Sequence, residues 1–274
     1  MARILFVVLV SLAVVAGGAG AGGGPSPGVM TGWDGVRTPD GRTRYVALPA
    51  GATTVVAAVR TRDGRVVRSS TVKGLFGVPM VAFDATTEGL SRDGTKLVLA
   101  GYGTTASTRF AIVATRTLRA ERLVSLQGFW AFDALSPDAR TLYAIEYLGT
   151  GRSPRYRVRA VSLVTGKPVG GAIVDKREPD EEMRGAPYAR TRTPDTRWAY
   201  TLYGKPNGEA FVHALDTSRG RAFCVDLPWR NAGQRIGTVR LHLEGPMLVL
   251  SRPHAGRLAV VDTRSFAVRS FRQP

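Results

Sequence analysis

The chain has 274 residues and a formal net charge of +17, and arginine carries nearly all of its positive charge. That length leaves room for one substantial all-β domain after a leader is removed. The lone cysteine, Cys224, excludes an internal disulfide, and basic residues scattered without a dense block argue against a nucleic-acid-binding stripe.

Taken in chain order, Arg3 is a short positive n-region, Ile4 to Ala16 an apolar stretch, and Ala19-Gly20-Ala21 a small-residue cleavage site. This pattern predicts a signal peptide over 1–21 and an exported protein, secreted or associated with the cell envelope. The uncharged run continues through GGGPSPG, so an uncleaved anchor is the alternative. Glycine is a poor helix former, which favours cleavage and a flexible Gly/Pro linker over 22–32. The remaining residues, 33–274, form the predicted domain.

Within it one order recurs: turn, strand, loop, strand, turn, strand. Pro39-Asp40-Gly41 leads into RYVAL, a PAGAT loop, TVVAAV, a second turn and RVVRS. Arg92-Asp93-Gly94 leads into KLVLAG, RFAIVAT and AERLVSL; Ser136-Pro137-Asp138-Ala139 into LYAI, YRVRAVSL and a short strand at Gly170 to Val174. Pro194-Asp195-Thr196 leads into WAYTLY, AFVHALDT and RAFCVDL, and Glu244-Gly245-Pro246 into MLVLS, RLAVVDT and FAVRSF. Pro presets its own φ and Asp bonds its own backbone two residues on, so these are turns with a mechanism. A further short strand precedes most turns: VAFDA, FWAFDAL, PYART and TVRLHL. The unit is a four-stranded antiparallel sheet of roughly 50 residues, the size of a propeller blade. The fold class is therefore all-β, a β-propeller of five blades, with six as the alternative. Residues 25–32 could add a clasp strand to the last blade.

The turn and strand motifs Thr38-Pro39-Asp40-Gly41, Ser136-Pro137-Asp138, Thr193-Pro194-Asp195, His213-Ala214-Leu215-Asp216-Thr217 and Ala259-Val260-Val261-Asp262-Thr263 resemble bacterial β-propeller repeats of the TolB-like and YVTN type. The chain is also similar to exported proteins of high-GC bacteria. The resemblance covers nearly the whole mature chain and implies the fold. It implies little about activity, because the family holds scaffolds, binding proteins and some enzymes. The fifth unit departs from it by lacking Pro-Asp-Gly.

In a propeller of this order the A–B turns lie at one end, and the B–C and D–A loops at the other, here called the top. Loops at such an end carry function most often. The run Asp175-Lys176-Arg177-Glu178-Pro179-Asp180-Glu181-Glu182-Met183-Arg184 is the densest group of carboxylates in a basic chain. Glu178, Asp180, Glu181, Glu182 and Arg184 are thus candidate binding residues for a basic partner. The competing reading is a solvated loop of local ion pairs, each worth little. Glu146 and Tyr147 end a strand beside it and could extend the lip. Trp130 and Trp229 fall at D–A connections, where they either stack a ligand or cap blade cores.

Catalytic signatures fail. The three histidines lie in unrelated contexts, with no metal-ligand spacing. Gly101-Tyr102-Gly103-Thr104-Thr105-Ala106 matches a dinucleotide fingerprint but sits in a hairpin loop, with no helix to receive a phosphate. No catalytic residue, metal or cofactor is assigned. The leading expectation is a non-enzymatic, monomeric binding or scaffold protein of the envelope. Its partners would be an envelope protein or an anionic envelope polymer, with peripheral membrane contact possible through arginine and no nucleic acid. The alternative is a lactonase-like, metal-dependent hydrolase using channel residues Asp84, Asp133, His242 and Glu244.

Overall fold

The computed structural model describes residues 30–102, 106–149, 155–179 and 183–274. The predicted signal peptide, most of the linker, and Asp180, Glu181 and Glu182 lie outside the described residues. Blade 1 comprises β1 (Val36–Arg37), β2 (Thr43–Ala50), β3 (Thr53–Arg60) and β4 (Val66–Lys73). Blade 2 comprises β5 (Phe76–Gly77), β6 (Lys96–Gly101), β7 (Ser107–Ala114) and β8 (Arg119–Gln127). Blade 3 comprises β9 (Trp130–Leu135), β10 (Thr141–Leu148), β11 (Arg155–Ser162) and β12 (Pro168–Ile173). Blade 4 comprises β13 (Ala186–Arg192), β14 (Trp198–Gly204), β15 (Ala210–Asp216) and β16 (Arg221–Leu227). Blade 5 comprises β17 (Arg240–Glu244), β18 (Met247–Arg252), β19 (Gly256–Asp262) and β20 (Val268–Ser270). Each is a separate four-stranded sheet in sequence order, antiparallel throughout, so the protein is a five-bladed β-propeller.

One device builds four of the five A–B turns. A Ser or Thr hydroxyl donates to the Asp two residues on: Thr38 to Asp40 and Ser91 to Asp93 at 2.6 Å, Ser136 to Asp138 at 2.6 Å, Thr193 to Asp195 at 2.5 Å. The same Asp oxygen accepts a backbone N–H from two residues further on, in Arg42, Thr95, Arg140 and Arg197. These bonds, the hydroxyl first, hold all four carboxyls below the usual carboxylate range. The residue after each Asp is left-handed: Gly41, Gly94, Ala139 and Thr196, with φ of 68, 69, 51 and 59°. At the end of strand C, the Thr61, Thr115 and Thr217 hydroxyls donate to the carbonyls of Gly41, Gly94 and Thr196. The aspartates of the repeat are structural.

Blades join through shared cores and staples. Thr54 and Thr108, both fully buried, each accept the N–H that starts the next blade, from Phe76 at 2.8 Å and Trp130 at 2.9 Å. Four apolar clusters fill the interfaces between blades 1 and 2, 2 and 3, 3 and 4, and 4 and 5. The connection from blade 4 to blade 5 adds a 3-10 helix, Gly233–Thr238, whose Ile236 is buried in the last cluster. Among the described residues, no core cluster, hydrogen bond or ion pair joins blade 5 to blade 1. His242, Glu244 and Arg257 pair with one another on blade 5 instead. Strand alternation turns His242 and Glu244 away from the buried Leu241, hence away from blade 4. Among the described residues the seam between blade 5 and blade 1 carries none of the contacts that join the other blades.

Two sequence expectations are corrected. VAFDA is not the inner strand of blade 2. That strand begins at Phe76, and residues 79–88 leave the sheet as a small hairpin, with Met80 paired to Thr87 and the Val81 N–H bonded to the Thr86 carbonyl. Gly74, Gly77 and Pro79 crowd this two-residue strand and obscure it in the sequence. Residues 30–32 lie beside the same segment and not beside the last blade, with Thr31 bridged to Pro79 and Gly32 N–H bonded to Val78 O at 2.8 Å; residues 25–29 of the expected clasp lie outside the described residues.

Thr196 is a β-branched residue in a left-handed conformation, and its hydroxyl is buried with no hydrogen-bond partner. Thr196→Gly should therefore raise the free energy of unfolding by about 1 kcal/mol, read from the denaturation midpoint.

Candidate functional site

The hairpin 79–88 crosses the ring axis. At its tip, the Phe83 and Asp84 N–H groups bond the Pro187 and Tyr188 carbonyls of β13, on the opposite blade. The Asp84 carboxylate accepts the Arg190 backbone N–H at 3.1 Å. The Arg190 side chain then fills the axis. It donates to Glu88 of the hairpin at 3.0 Å, to Asp133 of β9 at 2.8 Å, to the Asp133 carbonyl at 2.8 Å and to Thr201 at 2.6 Å. The side chains of Arg190, Glu88 and Asp133 are 1, 5 and 3% exposed. Burial works against the Arg190 charge, but Glu88 and Asp133 outweigh it and raise its pKa, so the cation is locked on. Of the four channel residues expected for a metal, Asp84 accepts the Arg190 backbone N–H, and Asp133 is ion-paired with the Arg190 side chain through Oδ1 while its Oδ2 is buried without a protein partner. His242 and Glu244 sit on the exposed face of blade 5 and do not converge with them. No group of three or more metal-ligating side chains forms among the described residues.

A second polar cluster backs onto this one between blades 3 and 4. His213 is fully buried in β15, edge-on to Tyr203, and neither ring nitrogen has a protein hydrogen-bond partner. Burial pushes its pKa down; Asp133 opposes this and the Arg190 charge adds to it. Phe129, Tyr147, Tyr156, Tyr203 and Phe211 continue as a ladder of ring contacts 5.2 to 6.1 Å apart.

Several predicted site residues gather at the top of blade 3, with different roles. Glu146 is directly opposite Trp130 on one side and Arg157 on the other. It pairs with Arg157 at 2.6 Å and Arg159 at 3.7 Å, so its charge is answered within its own sheet. Tyr147 belongs to the aromatic ladder, and burial pushes its phenol well up. Met183 closes the acidic segment against Tyr156, accepting its N–H at 3.1 Å, which brings Arg184 to the same end, exposed. Asp175, at the start of the segment, is buried and faces no solvent. It holds Arg177 at 2.5 Å and accepts the Cys224 N–H at 2.8 Å, clamping blade 3 to β16. Burial works to raise this carboxyl, but Arg177 and the two N–H groups hold it below the usual range. Glu178 follows in the turn, its N–H bonded to the Asp175 carbonyl.

Trp130 and Trp229 offer no stacking face. Trp130 is 3% exposed in the core between blades 2 and 3, its Nε1 donating to the Gln127 carbonyl at 2.7 Å. Trp229 is 1% exposed between blades 4 and 5, its Nε1 near Ser270 Oγ at 3.3 Å. Each D–A connection turns inward to reach the axis, and its large aromatic ring follows into the core.

The concave site lies at the opposite end, beside the A–B turns, and sequence reasoning missed it. A cavity of about 490 Å³ opens there, lined by Asp34, Arg37, Arg44, Thr86, Thr87 and Arg192 among others. Arg37 and Arg192 immediately precede their turns, and Arg44 follows one. Arg37 and Arg44 are directly opposed across β1 and β2, so they share one face. The signal was available: the turn at Thr38 to Arg42 fixes that register. Thr87 donates to the Gly35 carbonyl at 2.6 Å and ties the plugging hairpin to this rim.

No family model matches the chain, and no curated protein matches it. Solved structures similar to it include hydrazine synthase from Kuenenia stuttgartiensis, at 16% identity over 90% of this chain and 80% of that one, TM-score 0.44. TolB from Acinetobacter baumannii aligns at 14% identity over 84% of this chain and 52% of that one, TM-score 0.45. A puromycin-hydrolyzing peptidase from Mycobacterium tuberculosis aligns at 18% over 88% and 37%, TM-score 0.47. At these identities the likeness is one of fold alone.

Arg190→Met should cost about 3–5 kcal/mol of unfolding free energy, because it strands two buried carboxylates. Adding Glu88→Gln and Asp133→Asn should restore part of that loss in the same denaturation assay. His213 stays neutral in the folded chain but takes a proton in the unfolded chain below its ordinary value of 6.5. Stability is therefore complete above that pH and falls as the pH drops below it. The turn aspartates add nothing until near their ordinary 3.8. Melting curves between pH 7 and 5 should show a decline that His213→Phe removes.

Proposed function

We propose that this protein is an exported propeller that binds or scaffolds another molecule of the cell envelope and performs no catalysis. One observation carries the reading: the axis, where a propeller hydrolase would hold its metal, is plugged by the blade 2 hairpin, with Glu88 and Asp133 ion-paired to the Arg190 side chain and Asp84 accepting its backbone N–H. A buried carboxylate already paired with a guanidinium is a poor ligand for a hard cation. The lactonase-like alternative draws no support from such an axis. Export rests on the charged, apolar and small-residue order of positions 1–21. The partner is an envelope protein with a basic patch, met by a monomer at the acidic loop around residues 175–184, or an anionic envelope polymer met by the arginine-rich surface.

The protein should associate with purified cell-envelope fractions. Reversing charge at Glu178, Asp180, Glu181 and Glu182 should weaken that association several-fold; unchanged binding removes the acidic segment from the interface. Elemental analysis should find no stoichiometric divalent metal, and one metal ion per chain would reverse the reading in favour of a hydrolase.

A further inference from the structure

From the cavity beside the A–B turns, we infer a binding site for a phosphomonoester group. The chemistry of the lining is one-sided: three guanidinium groups, from Arg37, Arg44 and Arg192, against the single carboxylate of Asp34. Arg37 and Arg44 stand directly opposite one another in an antiparallel pair. Like charges so placed repel, and a fold gains nothing from them unless an anion sits between. Neither forms an ion pair with a carboxylate among the described residues. Arg192 reaches Glu88 only at 4.0 Å, and Glu88 is already committed to Arg190 at 3.0 Å.

The geometry also selects the anion. One arginine fork satisfies the two oxygens of a carboxylate. Three forks arriving from β1, β2 and β13 exceed what a monocarboxylate can accept, and suit a dianion with three terminal oxygens. Thr86 adds a hydroxyl-bearing side chain to the wall, the Thr87 hydroxyl being spent on the Gly35 carbonyl, and about 490 Å³ leaves room for a small organic body beyond the phosphoryl group. The walls are held in place. Asp84 accepts the Thr86 N–H at 3.0 Å, and Ala85 occupies a left-handed conformation, φ 66°, which shapes the hairpin tip. This site is at the far end from the acidic segment, and it stands whether or not that segment binds a partner.

The test is calorimetric titration of the full chain with inorganic phosphate and with glycerol 3-phosphate, each against sodium chloride of equal ionic strength. Saturable binding of either, with a rise in melting temperature that the chloride control lacks, is expected. Arg37→Ala with Arg44→Ala should weaken it by at least about tenfold while leaving the circular dichroism spectrum unchanged. Arg44→Lys should fall between, since it keeps charge and loses the fork. Vesicles containing phosphatidic acid distinguish the source: retention that depends on Arg37 and Arg44 assigns a lipid headgroup, and binding of glycerol 3-phosphate without retention assigns a soluble phosphate ester. No saturable binding, equal binding by the double variant, or binding of citrate in preference to phosphate would overturn the assignment.

Discussion

The interior of this propeller depends on one arginine. Arg190 joins three blades at the axis: its own, blade 3 through Asp133, and blade 2 through the hairpin that carries Glu88. None of the three charges could be buried alone, since an unpaired ion in such surroundings costs several kcal/mol. Together they place every side-chain nitrogen of Arg190, with the Thr201 hydroxyl and the Asp133 carbonyl taking donors that the two carboxylates do not, and among these groups only Asp133 Oδ2 is left without a protein partner. An apolar axis of the same volume would pack as well, but would not fix which hairpin crosses to which strand. The ion set does fix it, because this arrangement gives both buried carboxylates the same buried guanidinium.

That arrangement also decides what the molecule offers to others. In many propellers the channel is the open, polar place where several inner strands converge. Here the convergence has happened, and the groups have been spent on each other. What remains accessible lies at the two ends. One end has an acidic segment anchored by Asp175 and Met183, and the other a recess in which Arg37 and Arg44 stand opposite one another with no ion pair among the described residues.

The blades were legible in the sequence because their determinants are local. Thr38 and Asp40, or Ser136 and Asp138, are two positions apart and make their bonds whatever the rest of the chain does. The left-handed residue that follows announces itself twice as glycine. The axis was illegible for the opposite reason. Arg190 meets Glu88 across 102 positions and Asp84 across 106, and nothing within PYART marks its arginine as buried. VAFDA reads as a strand because its alternation is that of a strand, yet its backbone bonds go to another blade. Trp130 and Trp229 were placed correctly at blade junctions, but sequence could not say which way the rings turn. Arg37 and Arg44 were lost among 38 basic residues, although the register that opposes them follows from the turn between them.

The seam between the last blade and the first changes how the whole should be counted. A closed ring has as many interfaces as blades, and opening it requires one of them to break. The described residues form a bounded stack: four apolar interfaces, two terminal blades with one such neighbour each, and three middle blades bolted together by a buried charge. Cohesion in such an array is a sum over nearest neighbours. Its weakest cooperative units are therefore the two outer sheets, and loosening begins from both ends and stops at the central three.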